Sequence, residues 1–130
     1  SEKRLKLFNL LINYDFNLPV IVSPLAYVSK SSSVGQGTII MHHALVNANA
    51  KIGKNCIINS KTLIEHDIFV GNHCHISTSA TLNGGVHIGE QTFVGSGAVV
   101  RESIKIGSKC IISAGEVIMK DIPNNSKVKN

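Results

Sequence analysis

Every sixth residue from Val28 to Ile118 is a branched aliphatic. The sixteen positions are Val28, Val34, Ile40, Val46, Ile52, Ile58, Ile64, Val70, Ile76, Leu82, Ile88, Val94, Val100, Ile106, Ile112 and Ile118, and Val22 extends the register by one step. Chance does not fill that many consecutive slots. A fixed period of six is the mark of a parallel β-helix, whose short strands each turn a corner before the next begins.

The slot four residues further on supports this, because it is mostly small: Thr38, Ala44, Ala50, Cys56, Thr62, Cys74, Ala80, Thr92, Ala98 and Cys110 all occupy it. One branched and one small inward residue per hexad fill a narrow triangular prism. The remaining positions are rich in Gly, Asn, Lys, Ser and Glu, which suit exposed corners where φ turns positive. Three hexads make an 18-residue coil, and coils stack about 4.8 Å apart. Residues i and i+18 therefore lie one above the other.

The three cysteines read differently once the repeat is imposed. Cys56, Cys74 and Cys110 share the small inward slot at separations of 18 and 36, with Thr92 between. They form an internal column of core thiols, not a metal or catalytic set.

A chain of 130 residues has room for one domain, and its 13 Lys and Arg against 8 Asp and Glu leave a net charge of +5. That balance suits an anionic partner. With only Arg4 and Arg101 as arginines and no interleaved aromatics, a phosphorylated small molecule fits better than nucleic acid. No stretch has the roughly 18 apolar residues of a membrane span, and a cytoplasmic location is the default expectation.

Residues 1–18 break the rhythm. Leu5, Phe8, Leu11 and Ile12 recur at helical spacing before Pro19, which predicts a short amphipathic helix with Ser1 as its cap. It either closes the open end of the prism or is the last helix of a further domain. Residues 19–123 make up the β-helix, and residues 124–130 read as a loosely held polar tail.

Chemistry concentrates between Ile64 and Ile88, which enclose Glu65, His66, Asp67, His73, His75, Gly84, Gly85 and His87. An imidazole flanked by a carboxylate is the arrangement of a general base, since the carboxylate fixes the tautomer and stabilises the imidazolium. Eighteen residues after His66 and Asp67 come Gly84 and Gly85. Two missing side chains above a base leave a hollow and open backbone N–H groups, which a developing oxyanion requires. A second set of columns, Ser79–Gly97–Gly115 and Thr78–Ser96–Ala114, predicts a smooth groove along the prism axis. A thin, extended ligand such as a pantetheine chain would lie in it.

The run Ile58-Asn59-Ser60, Ile64-Glu65-His66-Asp67, His75-Ile76-Ser77, Gly84-Gly85-Val86, Phe93-Val94-Gly95 and Lys120-Asp121-Ile122-Pro123 resembles the sialic-acid O-acetyltransferase and bacillosamine N-acetyltransferase family of sugar acyltransferases. The resemblance covers about residues 20–123. It implies an all-β fold, a left-handed parallel β-helix with three hexads per coil, assembled as a homotrimer with acetyl-CoA between adjacent subunits. It places the catalytic base on His66 and its acidic partner on Asp67. His75 falls on the histidine near the thioester, and Gly84 on the glycine whose N–H meets the thioester carbonyl. Gly85, Ser96, Gly97, Ala114 and Gly115 are the further candidate cofactor contacts, and Asn59 and Glu65 the candidate acceptor contacts. Family members usually begin with a nucleotide-sugar-binding domain, of which the N-terminal helix would be the last element.

The expected activity is acetyl transfer from acetyl-CoA to a nucleotide-linked amino sugar for surface-glycan biosynthesis, with no metal, no nucleic acid and no membrane span. O-acetylation of a sialic-acid-type sugar is the alternative within the family. Outside it stand a zinc hydratase like the γ-carbonic anhydrases and a non-catalytic β-helix. The zinc reading needs paired histidines five apart, and successive histidines here are separated by 1, 23, 7, 2 and 12.

Overall fold

A computed structural model describes residues 1–129. Eighteen two-residue strands run from Ile21–Val22 to Lys127–Val128 and stack as three parallel sheets. Face A has seven strands, Ile21–Val22, Ile39–Ile40, Ile57–Ile58, His75–Ile76, Phe93–Val94, Ile111–Ile112 and Lys127–Val128. Face B has six, beginning at Tyr27–Val28 and ending at Val117–Ile118, and face C has five, from Ser33–Val34 to Lys105–Ile106. The register between neighbouring strands is 18, as in His75↔Phe93 and Leu63↔Thr81.

The second residue of each strand points inward and the first outward, the alternation that any strand imposes. From Ile40 to Ile118 the inward residues are at most 3% exposed. Each such side chain contributes on the order of 1.5–3 kcal/mol through removal from water. The small slots close the core at the corners. There, Cys56, Cys74 and Cys110 donate to the carbonyls of Gly71, Gly89 and Pro123 at 3.2, 3.0 and 3.1 Å. Thr38 and Thr92 do the same to Gly53 and Gly107 at 2.8 and 2.7 Å. The thiols therefore stitch one edge of the prism.

Every sixth residue from Gly37 to Gly115 takes a positive φ, and only four of these fourteen corner residues are glycine. A left-handed non-glycine residue costs on the order of 1 kcal/mol. The cost is offset where its N–H bonds to an acceptor of the coil below, as Asn55 to Gln36 O and Asp67 to Ala48 O, both at 3.0 Å.

The helix spans Glu2–Asn13, and Ser1 Oγ accepts from Arg4 N. It does not cross the open end of the prism. It lies lengthwise along the edge between faces C and A, where Phe8 is its one buried residue and meets the His73 ring edge-on at 5.3 Å. Arg4 Nη2 donates to the carbonyls of Asn55, His73 and Cys74 at 3.3–3.4 Å. The far end of the chain is also more ordered than its polarity predicts. Lys127–Val128 pairs with Ile111–Ile112, a step of 16, and Ile122 bridges Ile106 with the same step. The last coil is thus two residues short, and Ile122 and Val128 still pack on the core. Asn130, the final residue of the expected tail, lies outside the described residues.

Candidate functional site

His66 follows the face B strand Leu63–Ile64 and sits on the edge between faces B and C. Its Nδ1 lies 3.0 Å from Asp67 Oδ2, the one carboxylate contact to a basic side chain among the described residues. A carboxylate accepts, so Nδ1 carries the hydrogen and Nε2 keeps its lone pair. Asp67 is held in place by the corner itself, with φ of 58° and its N–H on Ala48 O.

The ring of His66 lies against Gly84. A β-carbon built on Gly84 would come within 2.6 Å of both Nε2 and Cε1. Glycine is required here by that approach, since Gly84 has no positive φ. Its neighbour Gly85 plays the other role: it is the corner residue, with φ of 73°. The two glycines also differ as donors. Gly85 N–H bonds to His66 O at 3.0 Å, in the pattern that joins every coil to the one below, so the expectation of two open N–H groups holds only for one. Among the described residues no acceptor meets the Gly84 N–H.

The second cluster lies on the edge between faces A and B. Gly97 and Gly115 are its corner residues, with φ of 69° and 73°, and an added β-carbon at either would meet nothing within 4 Å. Ser96 Oγ is 2.9 Å from Ser77 Oγ, and Ala114 stands one coil further along. These residues form an exposed strip of small side chains along the edge, the candidate track. His75 opens the adjacent strand of face A, where Asn59 Nδ2 donates to its Nε2 at 3.2 Å and Phe93 meets it edge-on at 5.2 Å. Burial first, then the Arg4 guanidinium and the N-terminal amine, hold the His75 imidazole below the ordinary histidine range. It is neutral at pH 7, with the hydrogen on Nδ1.

The structure therefore brings the candidate residues together as two groups. Glu65, His66, Asp67, Gly84 and Gly85 share the B/C edge, whereas Asn59, Ser96, Gly97, Ala114 and Gly115 lie at the A/B edge, with His75 on face A beside Asn59. One side of the triangle separates them, six residues and at most roughly 20 Å. Asn59, expected on the acceptor side, spends its amide on His75 and on Ser60 N. The side between the groups is face B, whose outward residues include Tyr27, Leu45, Leu63, Val99 and Val117. No group of three or more His, Cys, Asp or Glu suited to a metal ion occurs among the described residues, nor a helix long and apolar enough to cross a membrane.

Face C holds an arrangement that the sequence reading missed. Phe69 and His87 stack with centroids 4.5 Å apart and planes 18° apart, one coil above the other. The column of outward residues 51, 69, 87 and 105 was the available signal.

Comparison with known proteins gives consistent results. The hexapeptide repeat of succinyl-transferase family matches residues 85–120, and the bacterial transferase hexapeptide family matches residues 31–66. No curated protein matches. Among solved structures, the acetyltransferase domain of PglB from Neisseria gonorrhoeae FA1090 is 34% identical with a TM-score of 0.98, covering 99% of this chain and 63% of its own. It has also been solved in complex with acetyl coenzyme A. A mutant GDP-perosamine N-acetyl transferase from Caulobacter crescentus, in complex with CoA and GDP-perosamine, is 34% identical with a TM-score of 0.95, covering 97% and 60%. WeeI from Acinetobacter baumannii AYE is 26% identical with a TM-score of 0.92, covering 98% and 62%. The chain thus spans between 60% and 63% of the length of these relatives. The fold is the left-handed parallel β-helix of hexapeptide repeats.

Proposed function

We propose that this chain, matched by two hexapeptide-repeat transferase families and similar to sugar acetyltransferases, transfers an acetyl group from acetyl-CoA to the amine of a nucleotide-linked sugar. The observation that carries this is the His66 ring lying on Gly84, with Nδ1 bound to Asp67 and Nε2 unencumbered. Support for the substrates comes from the relatives, one solved with acetyl coenzyme A and one with CoA and a nucleotide-linked sugar.

In this reading His66 Nε2 takes a proton from the acceptor amine as its nitrogen attacks the thioester carbonyl. Asp67 stabilises the imidazolium that results. Gly84 N–H donates to the oxyanion of the tetrahedral adduct. The C–S bond then breaks, His66 returns the proton to the sulfur, and an amide and free CoA are formed. General-base assistance of this kind is worth about 10²–10⁴ in rate. No covalent enzyme intermediate is needed, and the buried cysteines take no part.

A single copy holds the base and the pantetheine track on different edges, and both His66 and Asp67 are more than half exposed at their side chains. The proposed assembly is a homotrimer in which the B/C edge of one copy faces the A/B edge of the next. Face B would then turn toward the threefold axis, which accounts for its outward Leu45, Leu63, Val99 and Val117. His75, neutral and half-buried, would donate from Nδ1 near the thioester of the neighbouring site.

A CoA-release assay against a panel of nucleotide amino sugars tests the activity. Turnover with at least one of them is expected, lowered by about 10²–10⁴ in His66→Ala; a panel that yields no CoA overturns the reading.

A further inference from the structure

We propose that face C carries a platform for a nucleoside diphosphate, built from the stacked Phe69 and His87 rings with a lysine at each end. The column runs Lys51, Phe69, His87, Lys105, one residue per coil, so the two lysine α-carbons stand about 14 Å apart at about 4.8 Å per coil. Phe69 is 43% exposed, and the two rings lie 4.5 Å apart and nearly parallel. Both rings are exposed on the surface of face C.

An aromatic face between two cations matches the two halves of a nucleotide. Bases stack on aromatic rings, and lysines hold phosphate as point charges. Lys51, Asp67, Phe69 and His87 line one open depression of about 500 Å³, and His87 and Lys105 line the next, of about 540 Å³. The carboxylates at their margins are engaged elsewhere: Asp67 accepts from His66, and Asp121 accepts from Lys105 N at 2.9 Å. The outward residues of face B are mainly apolar, and on face A the His75–Phe93 pair is edge-on and flanked by Ile57 and Ile111, so neither other face presents parallel rings between two lysines. Phe69 stands three residues from His66 in the same coil, so a nucleotide on the platform would lie beside the base.

The inference rests on the function proposed above, in that the nucleotide belongs to one of its two substrates. Two sources share the chemistry, the nucleotide that carries the acceptor sugar and the adenosine diphosphate part of CoA. Calorimetric titration of the full chain with UDP, GDP and ADP separates them. We expect one of these to bind, Phe69→Leu to weaken it about ten-fold by removing the stacking face, and Lys51→Ala to weaken it with a shallower salt dependence. Competition by CoA against ADP assigns the platform to the donor, and binding of UDP or GDP assigns it to the acceptor. No binding at millimolar nucleotide, or an affinity indifferent to Phe69→Leu, overturns the platform. Wild-type CoA release is read separately, so failure there overturns the proposed function instead.

Discussion

The imidazole of His66 occupies the space that a β-carbon on residue 84 would need, at 2.6 Å from Nε2. The proposed base and the proposed oxyanion donor are thereby adjacent through a single glycine. Gly84→Ala must move the ring, because the other side of the contact is the coil backbone. A displacement of about 1 Å at a reacting group can cost on the order of 10²-fold in rate. We expect kcat to fall by about that factor with the melting temperature nearly unchanged; wild-type kcat would show that the contact is irrelevant to turnover.

His66→Ala removes the proton acceptor and should lower kcat by about 10²–10⁴. Acetyl-CoA affinity, measured by calorimetry, should stay within a factor of two, since the track on the A/B edge is untouched. Asp67→Ala should cost less, about ten-fold, because the ring keeps its place over Gly84 but loses the partner that sets its tautomer. An Asp67→Ala enzyme as impaired as His66→Ala would argue that the carboxylate itself reacts.

Stability should fall on acidification below about pH 6.5, the ordinary histidine value. Burial is the first cause that lowers both His73 and His75, and Arg4 adds to it. A depressed histidine binds fewer protons folded than unfolded, so ∂ΔG/∂pH is positive between the two pKa values. Asn55 Nδ2 donates to His73 Nδ1 at 2.9 Å, a bond that protonation forbids. Melting curves from pH 7.5 to 5 should show a falling midpoint, and His73→Gln should flatten the profile; a midpoint rising toward acid contradicts this.

Two glycines should respond in opposite ways. A β-carbon on Gly71 would meet Glu90 N at 2.7 Å, so Gly71→Ala pushes two coils apart and should destabilise by several kcal/mol. Gly115 opens into free space, and Gly115→Leu costs only the corner conformation, on the order of 1–2 kcal/mol. Its effect should appear as a raised KM for acetyl-CoA. Urea unfolding and donor kinetics on both variants distinguish the two, and an unchanged KM in Gly115→Leu removes the track.

Much of this was legible from the hexad rhythm, because a strand only two residues long leaves its inward residue no freedom. The sixteen aliphatic slots all end strands, and the 18-residue step predicts that Gly84 lies over His66. The step also assigns Cys56, Cys74 and Cys110 to one inner column. It says less about the perimeter. Residues 66 and 97 differ by 31, which puts them on neighbouring edges, and only the triangular cross-section turns that remainder into a separation. The division of labour between Gly84 and Gly85 was hidden for a similar reason: one answers to a ring and the other to a backbone angle. The helix was recognised, but its seat depends on Arg4 finding three carbonyls in three-dimensional space. The shortened last coil was invisible because Ile122 and Val128 resume the six-residue spacing after losing two positions.

The separation of His66, on the B/C edge, from His75, on face A, carries a genetic consequence. In the proposed trimer each centre draws its base from one copy and its second histidine from another. Chains bearing His66→Ala and chains bearing His75→Ala, each impaired alone, should therefore restore one another when refolded together. Wherever a copy with an intact His66 abuts one with an intact His75, a whole centre reappears. Complementation of that kind, absent when either variant is mixed with itself, would make the unit of activity a pair of neighbours and not a polypeptide.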